Sequence, residues 1–152
     1  MRHVPLTDHN DRNASVVRAS SDARRLGLAL GAGRVALGIA FWLDPARSVR
    51  VAGLDRVTTP RTGWLARMAA ARDLVIGAGA VGASLRADAR PVERASWYLA
   101  GAVTDAADAL AITQGARDGR LAKVPAALVA GGAAATSVVG LVATVRELTT
   151  RR

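Results

Sequence analysis

From Val124 to Val145 the chain runs 22 residues without a charge, although 21 Lys and Arg are spread through its 152 residues. At a rise of about 1.5 Å per residue, a helix of that length crosses a hydrocarbon core about 30 Å thick. Three further apolar stretches precede it, Leu26–Leu43, Trp64–Leu85 and Ala95–Ala116, and they differ in carrying a few charges. The pattern predicts an all-α fold: a four-helix transmembrane bundle with helices at about 26–43, 64–85, 95–116 and 124–145, behind a polar N-terminal tail.

The segments between these stretches set the predicted boundaries. Residues 1–23 mix Asp, Asn, Ser and Arg with little periodicity, and are expected to form a flexible tail in which His3 and His9 have no partners. Asp44-Pro45 ends the first helix, because proline disfavours helical geometry in the residue before it. The link from Asp44 to Gly63 is the longest, and its Arg47, Arg50, Arg56 and Arg61 alternate with Val49, Val51 and Leu54 as in a segment lying on a bilayer surface. Trp42 and Trp64 fall where interfacial indoles concentrate. Residues 24–152 then make one membrane domain, and four helices with short links leave no room for a second.

Composition changes the picture in two ways. Hydrophobic residues make up 51% of the chain but aromatics only 3%. That suits closely packed membrane helices better than a soluble core built around rings. The mean hydropathy of +0.20 averages apolar spans with Arg-rich ends. A net charge of +9 raises nucleic acid as a partner, but the arginines occupy both ends and every link instead of one stripe between aromatics. Anionic lipid headgroups account for them, and no nucleic-acid partner is expected. The absence of cysteine excludes disulfides, thiolate catalysis and Cys-based metal sites. Met1–Arg25 is too polar for a signal peptide, so the first helix is expected to stay attached.

With four crossings, the tail, the link after Leu85 and the C-terminus share one side and hold eleven arginines, against seven Arg and Lys opposite. The excess places both termini in the cytoplasm of a cell with this protein in its plasma membrane.

The charges inside the spans carry the candidate chemistry. Arg34 lies in the first stretch, Arg67, Arg72 and Asp73 in the second, Asp105 and Asp108 in the third. A central Arg or Asp costs about 2.5 to 3.5 kcal/mol on insertion scales, so these groups must pair. In antiparallel helices Arg34, Arg72, Asp73, Asp105 and Asp108 fall in one layer near mid-membrane, whereas Arg67 lies nearer the surface and can snorkel. Gly27, Gly31, Arg34 and Gly38 share one helix face, as do Trp97, Gly101, Asp105 and Asp108, and Asp73 heads a stripe with Gly77, Ala80 and Ser84. Gly27, Gly31, Gly38, Gly77 and Gly101 are therefore candidate helix-packing positions. Two arginines against three aspartates leave one carboxylate in excess.

Two readings of the layer stay open. In one it fixes which helix lies beside which. In the other it faces a polar cavity of a membrane enzyme or carrier for a lipophilic or ionic substrate, with Asp105, Asp108 and Asp73 as candidate catalytic or ion-binding groups and Arg34 and Arg72 holding an anionic portion. Asp105 and Asp108 alone are an incomplete ligand set for a cation such as Mg²⁺, so neither metal nor cofactor is expected. Gly77-Ala78-Gly79-Ala80-Val81-Gly82 fits the dinucleotide fingerprint, but Trp97 stands where an acidic residue belongs and no strands follow. Asn13-Ala14-Ser15 matches a glycosylation acceptor and carries no weight.

Gly33-Arg34 with Gly38, Pro45 with Gly53, Ala71-Arg72-Asp73-Leu74 with Gly77, and Asp105-Ala106-Ala107-Asp108 together resemble a family of small four-helix actinobacterial integral membrane proteins, a domain of unknown function. The likeness covers residues 24–145. It implies the architecture and the importance of the charged positions, and lends no activity. Twenty arginines beside a single lysine fit a GC-rich genome. The expected partners are the bilayer and either a second copy or a larger membrane protein. A soluble Ala-rich bundle is the competing architecture.

Overall fold

Each helix after the first has a proline among its first three residues, where its missing N–H and fixed φ suit a first turn. The computed structural model describes residues 7–55 and 59–149, with side chains for 21–55, 59 and 61–149. These hold five helices and no strand: α1 Thr7–Leu43, α2 Pro45–Val51, α3 Thr59–Leu85, α4 Pro91–Arg117 and α5 Lys123–Thr149. Arg2, Arg56, Arg151 and Arg152 lie outside the described residues, as do the side chains of His3, His9, Arg12, Asn13 and Arg18.

The helices run past the apolar stretches because their end turns are polar. α5 continues through Arg146 and Glu147, and α1 begins within the segment read as a tail. Asp44-Pro45 does end α1 at Leu43 and also opens α2. The Asp44 carboxylate accepts the Arg47 N–H at 2.9 Å, and Pro45 occupies the first turn. α2 packs against the ends of α3 and α5, burying Ser48 and Val49. α4 ends in a Schellman turn: Gly119 has φ 71°, and Arg120 N–H reaches the Gly115 carbonyl at 2.9 Å. Gly53, with φ 97°, receives the Ala122 N–H on its carbonyl at 3.0 Å and ties α2 to the α4–α5 link.

Two antiparallel pairs, α1 with α3 and α4 with α5, form the bundle, and α1–α5 and α3–α4 contacts close it. α1 and α4 sit on a diagonal and run parallel. Glycine brings the first pair together. A Cβ on Gly31 would lie 2.9 Å from the Gly77 carbonyl oxygen, and one on Gly77 2.7 Å from that of Gly31. Gly38 faces Leu74 and Ala70 in the same way, and Gly140 brings α5 against Ala102.

The distribution of side-chain size is inverted relative to a soluble bundle. Buried apolar residues are eleven alanines with Val49 and Tyr98. Leu37, Trp42, Met68, Val75, Leu110, Leu128 and Val138 point outward at 50–75% exposure, among many other large apolar residues. Among the described residues, three helices are long and apolar enough to cross a membrane: α1 from Ser21 to Leu43, α3 from Arg61 to Leu85, and α5. α4 is not among them, since Thr104, Asp105 and Asp108 interrupt its apolar run.

Candidate functional site

On α1, Ala23, Gly27, Gly31, Arg34 and Gly38 make one buried stripe at steps of four, four, three and four. Small residues on either side let α3 approach closely, which leaves the Arg34 side chain buried. Its guanidinium instead turns into the bundle centre. Nη1 donates to Asp73 on α3 at 2.8 Å, and Nη2 reaches Asp105 on α4 at 2.7 Å and the Gly101 carbonyl at 2.6 Å. A Cβ on Gly101 would stand 3.1 Å from the guanidinium Nε, so glycine there makes room for the arginine. Arg34 thus ties α1 to its antiparallel partner α3 and, across the diagonal of the bundle, to α4. A planar fork suits the task, because it presents several fixed donors at once.

The layer continues outward through Arg72. It grips Asp108 with two bonds, 3.1 Å from Nη1 to Oδ1 and 2.7 Å from Nη2 to Oδ2, and lies 3.6 Å from Asp73. Side-chain exposure rises along the layer, from 10% for Arg34 and 12% for Asp73 to 35% for Arg72 and 37% for Asp108. Asp105 and Asp108 are therefore taken by different guanidiniums. Arg67 is exposed and stands apart from them. Among the described residues, no group of three or more His, Asp or Glu is placed to hold a metal ion. The cavity beside the layer, between Arg34, Asp105, Trp97 and Tyr98, measures about 10 Å³, room for one water-sized molecule.

Gly27 and Gly79 serve the aromatic residues of α4. A Cβ on Gly27 would overlap the Tyr98 ring, and one on Gly79 would come within 2.5 Å of the Trp97 indole. Gly77–Gly82 is continuous α-helix, so the fingerprint-like glycines have no strand-to-helix turn in which to cradle a phosphate.

A second polar group closes the end of the bundle that holds the α3–α4 link, and sequence reasoning missed it. Arg94, counted there with the surface arginines, is buried. Its Nε donates to Glu147 at 2.6 Å and its Nη1 to the Ala89 carbonyl at 2.6 Å, and the two side chains are 7% and 2% exposed. Beside the pair, the Ser84 and Tyr98 hydroxyls share a hydrogen bond of 2.6 Å. Arg24 donates twice to the Ser84 carbonyl, at 3.1 and 2.7 Å, satisfying one of the last carbonyls of α3. One signal was present: Arg94, Tyr98, Gly101, Asp105 and Asp108 form a single stripe, and Glu147 is the sole acidic residue after Asp118.

No family model, curated protein or solved structure matches the chain.

Proposed function

We propose that the chain is a small multi-pass protein of a bacterial plasma membrane, in which α1, α3, α4 and α5 all cross and the Arg/Asp layer holds them in one arrangement. The inverted packing carries this reading: large apolar side chains clothe the exterior, while the ionised groups and small residues occupy the interior. In water such a surface would aggregate, whereas in lipid it is the solvated side. α4 crosses because its carboxylates do not meet lipid as free charges. Asp105 is bonded to Arg34 and Asp108 to Arg72.

The interior next to the layer has space for a water and not for a substrate, which favours the organising role. The protein then acts through its outer faces, toward a second copy or a larger membrane protein. Gly33, Gly82 and Gly132, where an added Cβ would meet nothing within 4 Å, leave places where another helix can approach. Both termini lie in the cytoplasm on the arginine excess.

A carrier or enzyme using Asp105 and Asp108 draws on one observation. The Arg72–Asp108 pair sits at the accessible edge of the layer, with the buried Nε of Arg72 making no hydrogen bond.

Fractionation of cells expressing the full chain tests the membrane reading. The protein is expected in the membrane pellet, resistant to alkaline extraction and released by detergent. Recovery in the high-speed supernatant without detergent would overturn it.

A further inference from the structure

We propose that the seam between α4 and α5 binds one anionic phospholipid, with an acyl chain in the seam and the headgroup on Arg117 and Lys123. The inference rests on the membrane reading above. Below the level of Ser137, whose hydroxyl bonds the Ala102 carbonyl at 2.8 Å, the two helices diverge and leave an open groove of about 980 Å³. Its walls are small and apolar, with Ala106 and Ala109 on one side and Ala130 and Ala134 on the other. Such a volume is at the upper end of ligand pockets, about 300–1,000 Å³.

Length and charge select the occupant. From Ala106 to Arg117 the α4 wall is about 16 Å long, and from Lys123 to Ser137 the α5 wall about 21 Å, close to the depth of about 15 Å of one leaflet. The groove starts near the ionic layer and ends where the helices end, at the level of a headgroup. Trp42 and Trp64, both more than half exposed or at half, mark the same end with interfacial indoles. There Arg117 and Lys123 stand on facing helices at the mouth of the groove, both exposed. Among the described residues neither forms an ion pair, and the neighbouring Asp118 is engaged with Gln114 at 3.0 Å and Arg120 at 3.9 Å. Two unpaired cations over an apolar slot one leaflet deep complement a phosphate headgroup above an acyl chain. A second copy of this chain would place its own +9 charge against the same cations.

Native mass spectrometry of the full chain in detergent, titrated separately with phosphatidylglycerol and phosphatidylcholine of identical acyl chains, tests the assignment. The expected result is one retained phosphatidylglycerol per chain, bound about 25-fold more tightly than phosphatidylcholine, since each of the two basic residues contributes about a fivefold preference at an anionic surface. Arg117→Gln with Lys123→Gln should bring the two lipids level. Ala127→Leu with Ala134→Leu, both at exposed positions, should remove the adduct of either lipid without lowering the Tm. Equal affinity for the two lipids, or a preference that survives both variants, would overturn the proposal. So would a dimer that the groove-filling variant converts to monomer, because a second copy would then be the occupant. Recovery of the chain in the aqueous supernatant overturns the membrane reading, whereas a membrane-bound chain without the lipid preference overturns the groove assignment alone.

Discussion

Arg34 concentrates in one side chain the connection among three helices. Its two terminal nitrogens hold Asp73, Asp105 and the Gly101 carbonyl, and at 10% exposure the side chain is largely shut off from bulk solvent. Removing one partner of such a group leaves the others charged and buried, at a cost of about 3–5 kcal/mol, whereas neutralising all of them together is often without cost. Arg34→Ala is therefore expected to lower the thermal stability of the detergent-solubilised protein severely. Arg34→Met combined with Asp73→Asn and Asp105→Asn should recover most of the loss. A triple variant no more stable than Arg34→Ala would show that the charges themselves, and not their pairing, are needed. The layer was legible in the sequence because charge inside an apolar stretch is costly, and because Arg34, Asp73 and Asp105 each share a face with glycines. Arg94 and Glu147 were not. They lie beyond the apolar windows, where a charged residue is ordinarily assigned to water, and only the continuation of α4 back to Pro91 and of α5 to Thr149 brings them inside.

At the scale of the element, the glycines divide into those that meet a neighbour and those that do not. Gly31 and Gly77 set the separation of α1 and α3, since the carbonyl of each stands where the other's Cβ would be. Gly77→Ala should force the helices apart, at a cost of about 1–3 kcal/mol, as overpacking of a close contact does. Gly33→Ala, on the open side of α1, should be neutral or stabilising by up to about 1 kcal/mol through helix propensity. Thermal unfolding of the two single variants in the same detergent measures the contrast, and equal effects would refute it. Helix existence was readable from the long apolar runs, but the starts of α1, α3 and α4 were not, because their first turns are polar and lie ahead of the apolar stretches. α2 was not readable: residues 45–51 alternate Arg and Val over too short a span to show a helical period, and the helix exists because Asp44 caps it and the bundle covers Val49. The α4–α5 groove also left no trace, because alanine is the residue both of a close contact and of a gap.

Apart from Arg34, Arg67 and Arg72, the described basic residues lie toward two opposite ends of the bundle. Arg24, Arg86, Arg90 and Arg146 lie at the end with the α3–α4 link, and Arg47, Arg50, Arg120 and Lys123 at the end with α2. With no native cysteine, single substitutions report on each end separately. In intact cells, Asp88→Cys should be shielded from an impermeant maleimide and Arg120→Cys should react. Reaction of both from outside would exclude four crossings. The diagonal reach of Arg34 also has a consequence for biogenesis. A chain emerging from the ribosome delivers α1 and α3 first, and they bring two guanidiniums with Asp73 as their sole acidic partner in the layer. The balancing Asp105 and Asp108 are translated only with the third long helix. The α1–α3 pair alone therefore carries one unneutralised guanidinium in the layer, and a chain truncated after Leu85 is expected to be degraded faster than the full chain, which pulse-chase labelling checks.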